Sequence, residues 1–71
     1  MTTESAADTD LETAARAFRR AEKTLDERRR VLAAAITAAA AAGVKQADIV
    51  RITGYTREHV RQLVKAAGEQ E

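Results

Sequence analysis

Apolar positions along this chain follow two regimes that meet at Gly43. Before it, Leu11, Phe18, Leu25, Leu32 and Ala39 recur every seven residues, and Ala14, Ala21 and Ala35 follow three residues after Leu11, Phe18 and Leu32. Arg28 interrupts the series after Leu25. Neither Gly nor Pro occurs from Asp10 to Ala42, and Ala, Leu, Arg, Glu and Lys dominate. The spacing therefore predicts one long helix over residues 9–42, opened by a Thr9–Glu12 capping box. At about 1.5 Å per residue it would extend roughly 50 Å. Thr24 and Glu27 repeat the capping pattern, which offers an alternative helix start and a break near residues 25–28. Residues 1–8 lack apolar periodicity and are expected to form a disordered acidic tail.

After Gly43, the expected C′ residue of the long helix, the pattern shortens. Ile49, Val50 and Ile52 form one apolar cluster, and Val60, Leu63, Val64 and Ala67 recur at helical spacing beyond Gly54. Two helices are predicted, about 46–52 and 57–67, with Gly54 reversing the chain, Thr56 as N-cap of the second and Gly68 stopping it. Residues 69–71 are left as a tail. Val44 should pack beneath this unit, and Ile49, Val60 and Leu63 should be buried within it. Leu32, Ile36, Ala39 and Ala40 would complete a three-helix core from the long helix. The fold class is all-α, a long N-terminal helix followed by a helix-turn-helix over residues 43–68.

That core leaves Leu11, Ala14, Phe18, Ala21 and Leu25 with nothing to cover them. Heptads of this length argue for a helix-helix seam, so a homodimer through the long helix is expected. Arg28 in the seam favours antiparallel pairing, which sets it near Glu22 or Asp26 of the other chain, whereas parallel pairing sets it against its own copy.

The stretch Gln46–Lys65 resembles the helix-turn-helix DNA-binding family through Gln46, Ile49, Gly54, Tyr55, Thr56, Val60 and Leu63 in register. Taken from Ala39 to Lys65, it is similar to the DNA-binding part of small actinobacterial regulators. Two positions depart from the family pattern. Val50 stands where alanine is usual, which implies a slightly opened helix pair, and Lys45 stands where Ser or Thr would cap the first motif helix, with Asp48 left to answer its orphan amides. The resemblance implies a sequence-specific regulator of transcription whose second motif helix enters the major groove of double-stranded DNA. If Val60, Leu63, Val64 and Ala67 face inward, Glu58, Arg61, Gln62 and Lys65 face outward. Arg61 suits guanine and Gln62 adenine, while Thr56, Arg57 and Lys65 suit phosphates, with Lys45 and Gln46 added from the first motif helix. The rival reading is a protein-interaction module, adaptor or antitoxin-like, that uses the heptad helix.

Charge sharpens this picture. The net charge of +1 conceals four acids and no base in residues 1–15, then seven Arg or Lys against three acids in residues 16–30. Residues 31–65 carry five bases against Asp48 and Glu58, and Glu69 and Glu71 follow. A basic middle flanked by acidic ends suits an anionic partner. For Arg28, Arg29 and Arg30 a solvated face and a phosphate-contacting strip stand as equal readings.

Other chemistry finds little support. There is no Cys and one His, His59, so no catalytic triad or metal site can be assembled within one chain, and the chain reads as a non-enzyme without cofactor. His59 reads as a solvent-facing helix residue and Tyr55 as a turn residue packing over the motif. Two aromatic residues, Phe18 and Tyr55, are too few for a single-strand stacking platform. No small-molecule ligand is evident. The first ten residues are unlike a signal peptide, and the alanine-rich run from Val31 to Val44 is too short to span a bilayer. The expected location is cytoplasmic, associated with the nucleoid.

Overall fold

The computed structural model describes residues 5–69, which form three α-helices and no strand. Helix α1 spans Ala6–Ala41, α2 Gln46–Thr53 and α3 Arg57–Glu69. The principal extents of 65 × 27 × 17 Å belong to a rod with a small head.

Helix α1 begins earlier than its Thr9–Glu12 pattern suggests. Ser5 is the N-cap, its side chain accepting from the Asp8 N–H at 3.1 Å while the Asp8 carboxylate accepts from the Ser5 N–H at 3.5 Å. This reciprocal pair satisfies two orphan amides and recruits the turn assigned above to a disordered tail. The Thr9 N–H already donates to the Ser5 carbonyl. Residues 5–8 are therefore ordered, and the remainder of that expected tail, residues 1–4, lies outside the described residues. The helix runs without a break through residues 25–28, so Thr24 and Glu27 do not start a second one. In a run with no Gly or Pro, nothing offsets the cost of interrupting the hydrogen-bond ladder.

The end of α1 is set by Gly43. Its φ of 94° lets the Gly43 N–H reach the Ala40 carbonyl at 3.1 Å and the Val44 N–H reach Ala39 at 3.0 Å, the paired bonds of a Schellman motif. Gly54 does the same work after α2 with φ 76° and its N–H on the Val50 carbonyl at 2.8 Å. Gly68 takes no positive φ and does not stop α3, which continues to Glu69; residues 70 and 71 of the expected tail lie outside the described residues.

One residue from each helix makes the core: Ile36, Ile49 and Val60 are buried, with Leu32, Ala39, Ala40, Val50, Tyr55, Leu63 and Val64 packed partly buried around them. Three expectations change. Leu63 is partly rather than fully buried. Ile52 is 69% exposed and does not join Ile49 and Val50; one helical step of three residues turns it to the rim of a groove against Leu32 and Ala35. Val44 lines that groove but remains exposed.

Among the described residues nothing covers the N-terminal part of α1. Leu11 is 69% exposed, Phe18 64% and Leu25 49%, on the same heptad stripe that carries Leu32 into the core. No helix of the described residues is long and apolar enough to cross a membrane.

Candidate functional site

The turn between α2 and α3 comprises Gly54, Tyr55 and Thr56. Its geometry rests on side chains as much as on glycine. The Thr53 hydroxyl donates to the Ile49 carbonyl at 2.7 Å and accepts from the Tyr55 N–H at 3.1 Å, closing the C-terminus of α2. The Thr56 hydroxyl then accepts from the His59 N–H at 3.1 Å and caps α3. Tyr55 packs against the core and stacks on His59, ring centroids 4.3 Å apart and 20° from coplanar. Sequence reasoning placed Tyr55 over the motif and His59 in solvent but missed that the pair stack. Their four-residue spacing across a helix start was the available signal.

With its start fixed, α3 presents two faces. Val60, Leu63, Val64 and Ala67 point inward, buried or partly buried, and Glu58, Arg61, Gln62 and Lys65 are exposed along one stripe at i, i+3, i+4 and i+7. Within the stripe Glu58 is a hub. One carboxylate oxygen accepts from Arg61 Nη2 at 2.6 Å and the other from Gln62 Nε2 at 3.2 Å. The two side chains best suited to base edges are thus drawn back along the helix surface onto an acid one turn earlier. These are exposed bonds, which orient more than they stabilise. Glu58 also sits in the first turn, where a carboxylate complements the helix dipole.

Helix α2 meets this surface through Gln46, whose Nε2 donates to the Arg57 carbonyl at 3.2 Å. The bond ties the start of α2 to the first turn of α3 and brings Lys45, Gln46 and Arg57 to one end of the pair. Gln46, Arg61 and Lys65 further share the rim of a groove of about 310 Å³ floored by Ala40, Ile49 and Val60. Lys45 is the N-cap of α2 by backbone position and makes no side-chain capping bond; Asp48 occupies the first turn and pairs with Arg51 at 3.7 Å. The structure therefore gathers Lys45, Gln46, Arg57, Glu58, Arg61, Gln62 and Lys65 around the α2–α3 pair, while the Thr56 hydroxyl is spent on capping.

Arg28, Arg29 and Arg30 lie about one turn before Leu32 on α1, and none of them lines the groove shared by Gln46, Arg61 and Lys65. Arg29 faces Asp26 at 3.8 Å and Arg30 Nε reaches the Asp26 carbonyl at 3.5 Å, both in solvent. Among the described residues no group of three or more His, Cys, Asp or Glu side chains is arranged to hold a metal ion. Comparison with family models, with curated proteins and with solved structures gives no match for this chain.

Proposed function

We propose that the α2–α3 pair binds double-stranded DNA, with α3 in the major groove, and that the protein is a sequence-specific transcriptional regulator. The observation that carries the reading is the exposed Glu58, Arg61, Gln62, Lys65 stripe on a helix whose opposite face is core and whose start is fixed by a three-residue turn. A helix held in this way can enter a groove about 12 Å wide as a rigid body. Arg61 can bond the O6 and N7 of guanine, Gln62 the N6 and N7 of adenine, and Glu58 the N4 amine of cytosine. Lys45, Arg57 and Lys65 supply cations at the edges for phosphates. Gln46 acts as a positioning residue through Arg57 rather than as a reader.

Selection on random duplex DNA, followed by a salt titration of the winning site, tests this. A single enriched site whose affinity falls steeply with salt is expected. No enrichment, or binding indifferent to salt, would turn the reading toward a protein-interaction module built on the uncovered stripe of α1, the one observation that favours that rival.

A further inference from the structure

We infer that α1 pairs antiparallel with α1 of a second copy of this chain, in a register that lays Phe18 on the partner's Ala21 and Leu25 on the partner's Ala14. This goes beyond DNA binding and does not rest on it.

The surface to be covered is a continuation of the core. Leu25, Phe18 and Leu11 lie one, two and three heptads before Leu32, which α2 and α3 already shelter, and all three remain about half exposed or more. Every large residue of the stripe is followed three positions later by a small one, Ala14 after Leu11 and Ala21 after Phe18, until Arg28 follows Leu25. An antiparallel pair sets large against small in the Phe18–Ala21 and Leu25–Ala14 layers, which lets two helices approach closely there without a void. A parallel pair sets Phe18 on Phe18, Ala21 on Ala21 and Arg28 on Arg28.

Charge selects the register. With Phe18 over the partner's Ala21, the flanking positions place Asp8 beside the partner's Arg29 and Ala15 beside the partner's Glu22, twice by symmetry. Sliding by one heptad in one direction opposes Asp8 to Glu22, and in the other direction Glu22 to itself. Arg28 then falls one layer inside the end of the overlap, on the partner's Leu11 and not near Glu22 or Asp26 of the other chain as the sequence suggests, with its stem packed and its guanidinium free to reach water. The same register carries the partner's first helical turn, around Ala7, to Leu32. There the groove along Leu32, Ala35 and Ile52 lies open, and Ile52 is 69% exposed. Two unexplained apolar surfaces, the stripe and Ile52, are covered by one arrangement.

The chain has no cysteine, so introduced thiols report without background. Ala14→Cys and Leu25→Cys chains, one lengthened by a tag, are mixed, allowed to exchange and oxidised. The mixed cross-link should dominate; cross-linking of each variant mainly to itself would overturn the antiparallel register. Sedimentation should show a dimer at tens of micromolar for the unmodified chain and a monomer of unchanged helicity for the Phe18→Asp, Leu25→Asp variant. A monomeric unmodified chain, or a variant that dimerises equally well, would overturn the pairing. Ala15→Lys should tighten the dimer severalfold by facing Glu22, and Ile52→Asp should loosen it; an Ala15→Lys dimer no tighter than the original counts against the register.

Discussion

Truncating Val60 to alanine offers a demanding test of the packing, because the buried core consists of three side chains and Val60 is the α3 member, 2% exposed. The change removes two methyl groups, a loss of about 1.6 kcal/mol at about 0.8 kcal/mol each. Ile36 and Ile49 are anchored in other helices and can close the hole only in part, so the total should reach about 2–3 kcal/mol. A core of this size holds a margin of about 3–5 kcal/mol. The variant should keep about 0–3 kcal/mol, so that from under a hundredth to about half of the head is unfolded at room temperature. Circular dichroism would report mainly the 36-residue α1. Tyr55 is the better probe: it is the single tyrosine, there is no tryptophan, and it packs against the core. Urea titrations of Tyr55 emission, at one fixed protein concentration so that self-association does not shift the midpoint, should show a clearly lower midpoint for Val60→Ala. Leu63→Ala, at a partly buried site, should cost about 1–2 kcal/mol, less than the range for a fully buried leucine. Coincident midpoints for Val60→Ala and the unmodified chain, or a Leu63 effect larger than that of Val60, would refute this account of the core.

Three further outcomes are expected. Arg61→Ala should cost about 1–3 kcal/mol on the selected DNA site and relax preference at one base pair, whereas Lys65→Ala should weaken all sequences alike and lower the salt slope by about 1; an Arg61→Ala protein with unchanged affinity and preference would show that the reading face is misassigned. Glu58→Gln removes a negative charge from the exposed α3 stripe and loosens the hold on Arg61, so it should raise affinity for unrelated duplexes and narrow the gap between specific and non-specific binding; a gap that widens would count against Glu58 as the orienting hub. Gly54→Ala meets no atom within 4 Å and should cost only the left-handed backbone penalty of about 1–2 kcal/mol, measured by the same Tyr55 titration.

Most of the architecture was legible because it depends on local signals. The heptad and the absence of Gly and Pro identify α1, Gly43 and Gly54 sit where left-handed turns are needed, and Thr56 caps α3 as its position suggests. What sequence reasoning missed turned on competition between equivalent signals. Ser5–Asp8 and Thr9–Glu12 both fit a capping pattern, and the earlier pair wins because it adds a turn of helix in which the Thr9 N–H is satisfied by the Ser5 carbonyl. Ile52 and Leu63 look like core residues by spacing, but eight residues of α2 and thirteen of α3 cannot enclose every apolar side chain they carry. For the site, the outward stripe followed from the inward one by helical geometry alone. The Glu58 hub, the Gln46–Arg57 tie and the Tyr55–His59 stack depend on rotamers and on contacts across the turn, which a one-dimensional pattern does not encode.

The unbroken run of α1 from its uncovered stripe to the core makes it a screw rather than a tether. Each residue inserted between Leu25 and Leu32 would advance the head by about 1.5 Å and also rotate it by about 100° about the axis. Two inserted residues would point the α2–α3 head almost opposite to its present azimuth relative to the stripe. Seven would restore it to within about 20° at a cost of roughly 10 Å in reach. Reach and aim are therefore a single quantity in this segment, and length changes there preserve the relation between the two surfaces of α1 only when they come in heptads.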